Sequence, residues 1–216
     1  AFQFSHHIIE KDGSIKHAGQ FICAEPGAFP NFEFVRALKK QVEVDGGTIF
    51  RWAAHENTIL NHIAIQIKQK SSSVTDADEL LSFITQITTG GSRAMVDLNE
   101  IAKRTYFHPE TKGRTSIKKV LPAVLRTSQF LKNKYQNPIY GADALTPDAI
   151  QSLNLKDFTW WQLEGGTVAD PYSKLKTIVD DMLGEEGEGI LDAEELEIAE
   201  GGAAAMAFCR LQFEDL

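Results

Sequence analysis

The chain has little that could cross-link it covalently or place it in a membrane. It contains only two cysteines, Cys23 and Cys209, which lie far apart and lack the spacing of a metal-binding pair. Their number indicates buried free thiols in a reducing compartment. No apolar run is long enough to span a membrane, and no signal peptide is visible. We therefore expect a cytoplasmic protein that does not insert into a membrane.

Basic residues are also fewer than acidic residues. The chain has 22 Lys and Arg against 30 Asp and Glu, a net charge of −8, which argues against binding nucleic acid by bulk electrostatics. A nuclease is not excluded, because a metal site needs carboxylates and only a local basic strip is needed for phosphates. Hydrophobic residues make up 43% of the chain, so a sizeable core is possible, and the 13 Phe are expected to lie mostly inside it.

Helical and strand patterns alternate along the first part of the chain, which predicts an α/β fold. Asp12-Gly13 between two β-like runs indicates an opening hairpin. Asn31 is predicted to cap the first helix. The predicted strands are 1–9, 15–23, 48–53 and 94–98, and the strand 48–53 is expected to be buried. The predicted helices are 32–44, 55–68, 75 or 76 to 90, 99–106 and 116–125. The apolar face of the helix 55–68 includes Ile59, Leu60, Ile63 and Ile67.

The composition of the sequence changes at about residue 137, and its hydrophobic periodicity becomes weak. We predict an irregular insertion over 137–199 that runs over the surface, with short helices at 147–152 and 172–183. Trp160-Trp161 within it could form a partner surface or could be core or rim aromatics. A strongly acidic stretch and a final helix over 203–213 follow.

Two acids lie where a strand is followed directly by a helix, which is where α/β folds place ligands. Glu56 follows the predicted strand 48–53, and Asp97 closes the strand 94–98. Either carboxylate could bind a divalent cation. The alternative for Glu56 is stabilisation of a helix dipole, with His55 or Asn57 as the cap, and the alternative for Asp97 is a helix N-cap.

A third candidate is a basic loop and helix on this otherwise acidic chain. The local reversal of charge predicts phosphate contacts, helped by backbone donors at a helix start near Ser116. The alternative is an ordinary solvated surface. The predicted nucleic-acid-binding residues are His108, Lys112, Arg114, Ser116, Lys118 and Lys119.

Several of these segments together resemble a bacterial domain-of-unknown-function family, family 2779. That family often follows a RecB-type nuclease domain, and its fold is similar to that of DnaQ-type exonucleases. The similarity extends over nearly the whole chain, and the phrase 116–122 is its most specific part. The segments that carry it are 2–5, 47–52, 55–60, 96–98, 106–109, 113–122 and 200–204.

The resemblance implies one ribonuclease-H-like domain over 1–216, with a mixed sheet flanked by helices and a core of 1–135 and 200–216. In such exonucleases four acids bind two metal ions. Glu56 and Asp97 match two of them and would bind Mg²⁺ or Mn²⁺. Glu200 is the nearest carboxylate to the last, where this chain has Gly201-Gly202. The first catalytic strand is absent from the chain, so we expect residues upstream of it in the parent protein.

Two functions follow from that resemblance. The first is a metal-dependent nuclease domain, a 3′–5′ exonuclease acting on DNA or RNA within a longer protein. The second is a catalytically degenerate nucleic-acid-binding or protein-interaction module of a larger nuclease, favoured by Gly201-Gly202 in place of an acid. The expected partners are DNA or RNA and the upstream segment or RecB-type domain.

Overall fold

The structure is a computed structural model that describes residues 1–175 and 208–212. Over these residues the chain is a mixed α/β protein, which confirms the predicted class. Its six described strands pair two by two, the first with the second, the third with the fourth and the fifth with the sixth. The elements in chain order are β1 (Gln3–Ile9), β2 (Ile15–Ile22), α1 (Asn31–Val42), β3 (Phe50–Arg51), α2 (His55–Gln69), α3 (Ala77–Ile87), β4 (Val96–Asp97), α4 (Leu98–Thr105), α5 (Ile117–Thr127), α6 (Gln129–Tyr135), β5 (Leu163–Glu164) and β6 (Thr167–Val168).

Strands β1 and β2 form the predicted hairpin. Exposed and half-buried side chains alternate along both strands, as the two-residue period of a strand requires. Gly13 has a φ of 85°, and the Asp12 carboxylate accepts a hydrogen bond from the Ser14 N–H at 2.9 Å. On the inner face Phe4 stacks on Phe21 with ring centroids 6.0 Å apart. The Asp-Gly signal therefore identified both the turn and the strand pairing.

Helices α1, α2 and α3 enclose the main hydrophobic core. Each is amphipathic, and apolar residues recur three or four positions apart on the buried side. The side chains at its centre are Val35, Leu60, Ile63, Ile67, Leu80, Phe83, Ile84 and Ile87, each at most 3% exposed. The apolar face predicted for α2 is thus confirmed.

Asn31 does not cap α1, contrary to the sequence-based expectation. The N-cap residue is Pro30, and no side chain caps this end of the helix. Asn31 is instead the first helical residue, and its amide donates to Gln66 Oε1 at 2.7 Å, which links α1 to α2. Tertiary contact has replaced local capping here. One more link joins α1 to the start of α3, where Arg36 donates to both carboxylate oxygens of Asp76 at 2.5 and 2.7 Å.

Strands β3 and β4 are parallel, with Phe50 opposite Val96 and Arg51 opposite Asp97. The predicted strand 48–53 was expected to be buried, but only two residues pair and Phe50 is 55% exposed. That expectation was wrong at Phe50, because a continuous apolar run is buried only where other elements cover both faces of the strand, and the face that carries Phe50 is left exposed.

The chain divides into two compact units, and the single domain predicted over 1–216 stays a prediction. The first unit contains the three-helix core and the β3–β4 pair. The second contains α6 and the segment that follows it. By residues, the first is Ala1–His6, Ala18–Cys23 and Phe29–Lys119, and the second is His7–His17, Ala24–Ala28 and Val120–Leu216.

The segment after residue 137 is more than a surface excursion. Ile139 and Ile150 are at most 3% exposed, and Tyr140 forms bridges to Ile150 and Phe158. Gly141 has a φ of 70°, and a Cβ there would lie 1.8 Å from a backbone oxygen. No helix forms over 147–152, contrary to prediction, because this stretch makes the bridge instead.

The two tryptophans of this segment are engaged within the second unit. Trp160 meets the Phe158 ring at 4.9 Å, and the Trp161 indole N–H donates to the Leu125 carbonyl at 3.0 Å. Lys132 lies 4.9 Å from the centre of the Trp161 ring. The interpretation of this pair as core or rim aromatics is therefore favoured over a partner surface.

Part of the predicted final helix is present, since residues 208–212 are helical. Cys209 in this helix is exposed and Cys23 is half-buried, so the expectation of two buried thiols was wrong. Glu200, Gly201 and Gly202 lie outside the described residues. Within 1–175 and 208–212, no helix has the length and apolar character that a membrane crossing requires.

The core assignment can be tested with two matched isoleucines. Ile84→Ala in α3 is expected to lower the free energy of unfolding by about 2–5 kcal/mol, because it leaves a cavity in the core. Ile65→Ala in α2 should change it by less than about 1 kcal/mol, since Ile65 is 52% exposed and Ile84 only 1%. Urea unfolding followed by circular dichroism measures both, and equal costs would contradict the assignment.

Candidate functional site

Asp97 lies at the carboxyl ends of the parallel strands β3 and β4, the edge at which α/β folds place ligands. Its Oδ2 accepts a hydrogen bond from Arg51 Nη1 at 2.7 Å, and the two side chains are 14% and 10% exposed. A charge-assisted bond of this kind is strong when it is shielded from water. The first partner of this carboxylate is thus a buried guanidinium.

The second oxygen of Asp97 faces the backbone. Oδ1 accepts hydrogen bonds from the N–H groups of Ala53 and Asn99, both at 3.0 Å, and of Glu100 at 3.4 Å. The last two are free donors at the start of α4, so Asp97 is the N-cap of that helix. The capping alternative for Asp97 is confirmed, and its role as a metal ligand stays a prediction.

These contacts shift the pKa of Asp97 in opposite directions. Burial raises the pKa, whereas the Ala53 N–H, the Arg51 guanidinium and the N–H groups at the start of α4 lower it. Burial is the largest single contribution, but the lowering contributions together exceed it, so the carboxyl group has a pKa below its ordinary value. Asp97 is therefore ionised at neutral pH and held by its partners.

Ala53 occupies a strained position between β3 and α2. Its φ is 70°, in the left-handed region that costs a residue with a Cβ about 1–2 kcal/mol. Its N–H donates to Asp97, and its carbonyl accepts from Arg51 Nη1. Both partners of the ion pair thus hold the turn that leads into α2, and strain of this type is concentrated at functional sites.

Glu56 lies in the first turn of α2, as predicted, where the positive end of the helix dipole stabilises its negative charge. His55 and Glu56 are both exposed, and Glu56 makes no ion pair with the described residues. Neither His55 nor Asn57 caps the helix. Asn57 instead accepts hydrogen bonds from the N–H and the hydroxyl of Thr89.

The described residues contain no group of three or more His, Cys, Asp or Glu placed to bind a metal ion together. At the strand ends the nearest charged partner of Asp97 is a cation, and Glu56 points into solvent. The third predicted ligand, Glu200, is outside the described residues. The donor set that the structure describes therefore does not by itself fit a two-metal centre, which needs carboxylates on both sides of the ions.

Four buried polar atoms on β3, on α4 and on the residues directly after these elements make no hydrogen bond to the described residues. They are Arg51 Nε and Trp52 Nε1 on the β3 side, and Asn99 Oδ1 and Tyr106 Oη on α4 and its end. An unpaired buried polar atom costs about 1–3 kcal/mol. No pattern in the sequence indicated these atoms.

The predicted basic region forms an exposed surface, which we call the basic segment and define as residues 103–119. It carries six Lys or Arg and one Glu, so its net charge is about +5 with His neutral, on a chain of −8. The side chains of Lys112, Arg114 and Lys119 are exposed and form no ion pair within the described part of the chain. Ser116 and Lys118 are exposed as well.

The loop of the basic segment is fixed by its own hydrogen bonds. His108 Nδ1 accepts from the Glu110 N–H at 3.3 Å, and the Thr111 hydroxyl donates to the His108 carbonyl at 2.7 Å. Thr111 is only 3% exposed and so anchors the turn. Lys112 then has a φ of 50°, in the left-handed region, and Gly113 follows with 74°. His108 thus shapes the loop, while Lys112 projects from it.

Comparison with known proteins agrees with part of the family resemblance. The model of one family, Domain of unknown function (DUF2779), matches residues 1–116, just over half of the chain. The match includes Glu56, Asp97 and most of the basic segment, and it ends at Ser116. No curated protein and no solved structure matches the chain significantly.

The role of Asp97 predicts a pH-dependent stability. Asp97→Asn is expected to cost about 1–3 kcal/mol at neutral pH, because it leaves the largely buried Arg51 charge without its anionic partner. A carboxyl group with a lowered native pKa stabilises the fold above the pKa of the unfolded chain, about 3.9, and this contribution is lost as pH falls through the native pKa. The cost should therefore shrink at about pH 3.

Urea unfolding of both proteins at the two pH values measures this difference. Asp78→Asn is the control, because Asp78 is an exposed carboxylate in the first turn of α3. It should cost less than about 0.5 kcal/mol. A cost for Asp97→Asn that is the same at both pH values would show that the ion pair does not stabilise the fold.

Proposed function

The chain belongs to the family Domain of unknown function (DUF2779), and we propose that it is a nucleic-acid-binding module whose basic segment contacts the phosphate backbone. One observation carries the proposal. Lys112, Arg114 and Lys119 are exposed and form no ion pair with the described residues, although the chain as a whole has a net charge of −8. Cations without partners on an acidic protein favour an anionic ligand.

The short range of charge interactions in salt makes such a local surface sufficient. At physiological ionic strength the Debye length is about 8 Å, so a phosphate at the basic segment interacts mainly with nearby cations. The acidic remainder of the chain would weaken association from a distance. The proposal therefore implies local, salt-sensitive binding that depends on a few cations.

The fixed loop also supports binding. Lys112 lies in the left-handed region, which is unfavourable for a lysine, and the anchored Thr111 and Gly113 on either side hold it there. A pre-ordered loop loses less conformational entropy when a ligand binds. The strained conformation of Lys112 thus has a role in this proposal, because it fixes the direction in which the lysine side chain leaves the loop.

The finer parts of the family resemblance belong to the proposal as well. A ribonuclease-H-like arrangement is supported by the parallel pair β3–β4, in which each strand is followed by a helix. In that arrangement the module would assist a RecB-type nuclease domain or an upstream segment of the parent protein. It would hold DNA or RNA for the neighbouring domain.

The binding proposal is tested by removing two of the cations. Lys112→Ala with Arg114→Ala should weaken binding to a labelled single-stranded oligonucleotide. The slope of log K against log salt should become shallower by about 0.7 for each phosphate that the variant no longer binds. Fluorescence anisotropy between about 50 and 200 mM salt measures both effects.

The matched control is Lys40→Ala with Lys68→Ala, which removes the same charge from exposed positions on α1 and α2. This control should leave the salt slope unchanged. Equal losses for the two double variants would mean that net charge governs binding, and an unchanged affinity for the first would contradict the proposal.

A second candidate function is a metal-dependent nuclease that uses Glu56 and Asp97 with Mg²⁺ or Mn²⁺. The observation that favours it is the position of Asp97 at the ends of two parallel strands, where its strand partner Arg51 and the next residue, Trp52, each carry an unpaired buried polar atom. A cation there would have to replace Arg51 as the partner of Asp97. The candidate also requires acids beyond those that the described residues bring together.

The nuclease candidate predicts Mn²⁺-dependent shortening of an end-labelled oligonucleotide by the full-length parent protein. Glu56→Gln should abolish it, whereas Asp78→Asn, another exposed acid in the first turn of a helix, should not. Water-proton relaxation in a Mn²⁺ titration gives an independent readout of ion binding. Degradation that persists at the wild-type rate in Glu56→Gln would exclude this assignment.

A further inference from the structure

Phe107 is the most exposed aromatic side chain in the basic segment, with 82% of its surface in contact with solvent. The expectation that the phenylalanines lie mostly inside is wrong at this position. Burying such a side chain stabilises a fold or a complex by about 1.5–3 kcal/mol. Phe107 gains little of this stabilisation from contacts with the described residues. The ring is therefore exposed in the stretch of chain that carries the unpaired cations.

The backbone around Phe107 explains why its ring points outward. Tyr106 and His108 are both extended, with φ and ψ near −116° and 118° and near −145° and 139°. Side chains of an extended chain alternate between its two sides. The Tyr106 and His108 rings stack on one side, 6.5 Å apart and 18° from parallel, which leaves Phe107 on the other side.

This pair of stacked rings also fixes the direction of Phe107. His108 is tied to the loop through its Nδ1 and its carbonyl, which hold the turn before Lys112. The aromatic ring and the cations of the loop are thus presented by one ordered stretch of chain. An exposed ring on the same ordered stretch as exposed cations has the composition of surfaces that bind single-stranded nucleic acid, where bases stack on aromatics and cations track the backbone.

We propose that Phe107 stacks on an unpaired base of a single-stranded nucleic acid whose phosphates contact Lys112, Arg114 and Lys119. This inference rests on the proposed function and adds the substrate class. A duplex buries the faces of its bases, so a side chain can stack on them only in single-stranded regions. Protein docking is disfavoured because the basic segment carries six Lys or Arg and one Glu, and the centres of protein interfaces are depleted in charged residues.

The test compares Phe107→Ala with wild type on two ligands that carry the same number of phosphates. One is a labelled oligothymidylate, and the other is an abasic oligonucleotide of the same length. Phe107→Ala should weaken oligothymidylate binding by about 5- to 150-fold, the equivalent of about 1–3 kcal/mol for one stacked base. It should leave abasic binding and the salt slope unchanged, and Phe107→Trp should retain wild-type affinity.

Phe130→Ala is the matched control, since Phe130 is 72% exposed and its neighbours Lys132 and Lys134 are engaged by Trp161 and Asp148. It should have no effect on either ligand. Circular dichroism of each variant confirms that it is folded.

The possible failures separate this inference from the proposed function. If Phe107→Ala binds oligothymidylate normally while Lys112→Ala with Arg114→Ala does not, the stacking inference is overturned and phosphate binding stands. Equal loss on both oligonucleotides would overturn stacking, because it would show that Phe107 only supports the loop. Wild-type affinity for polyglutamate equal to that for oligothymidylate would overturn it too, and no binding to either oligonucleotide would overturn both proposals.

Discussion

The ion pair between Arg51 and Asp97 joins the ends of β3 and β4, and the geometry around these strands depends on it. The carboxylate binds the guanidinium with one oxygen and caps α4 with the other. The same two side chains hold the N–H and the carbonyl of Ala53 in its left-handed conformation. The pairing of the strands, the start of α4 and the turn into α2 are therefore fixed together. Removing either partner would leave a buried charge and a strained turn.

The two candidate sites of the first unit differ in how their charges are used. Asp97 is surrounded by donors and has a lowered pKa, so its charge is already compensated by the protein. The cations Lys112, Arg114 and Lys119 have no such compensation within the described residues. A charge that is satisfied internally stabilises the fold, and one that is left in solvent on an ordered loop is available to a ligand. This difference is why the basic segment carries the proposed function more directly than the strand ends.

Local signals predicted the regular elements well. The Asp12-Gly13 turn and the alternation around it predicted the hairpin, and the spacing of Ile63 and Ile67 predicted the buried face of α2. The errors occurred where a distant contact outweighs a local preference. Asn31 has the character of a cap but bonds to Gln66 on another helix, and the apolar strand containing Phe50 has only one strand partner among the described residues. Neither feature can be recognised from the residues next to it in the sequence.

The sequence by itself determined the α/β class, the positions of Glu56 and Asp97 at strand-to-helix junctions, and the basic segment, because these depend on residue type and spacing along the chain. Only the tertiary structure decided that Asp97 binds Arg51, that Glu56 is exposed and that Phe107 projects from the basic segment. Arg51 and Asp97 are far apart in sequence and meet only because β3 and β4 pair in parallel. The direction of Phe107 follows from the stacking of Tyr106 on His108. Pairing and burial involve groups brought together by folding, so they have no counterpart in local sequence.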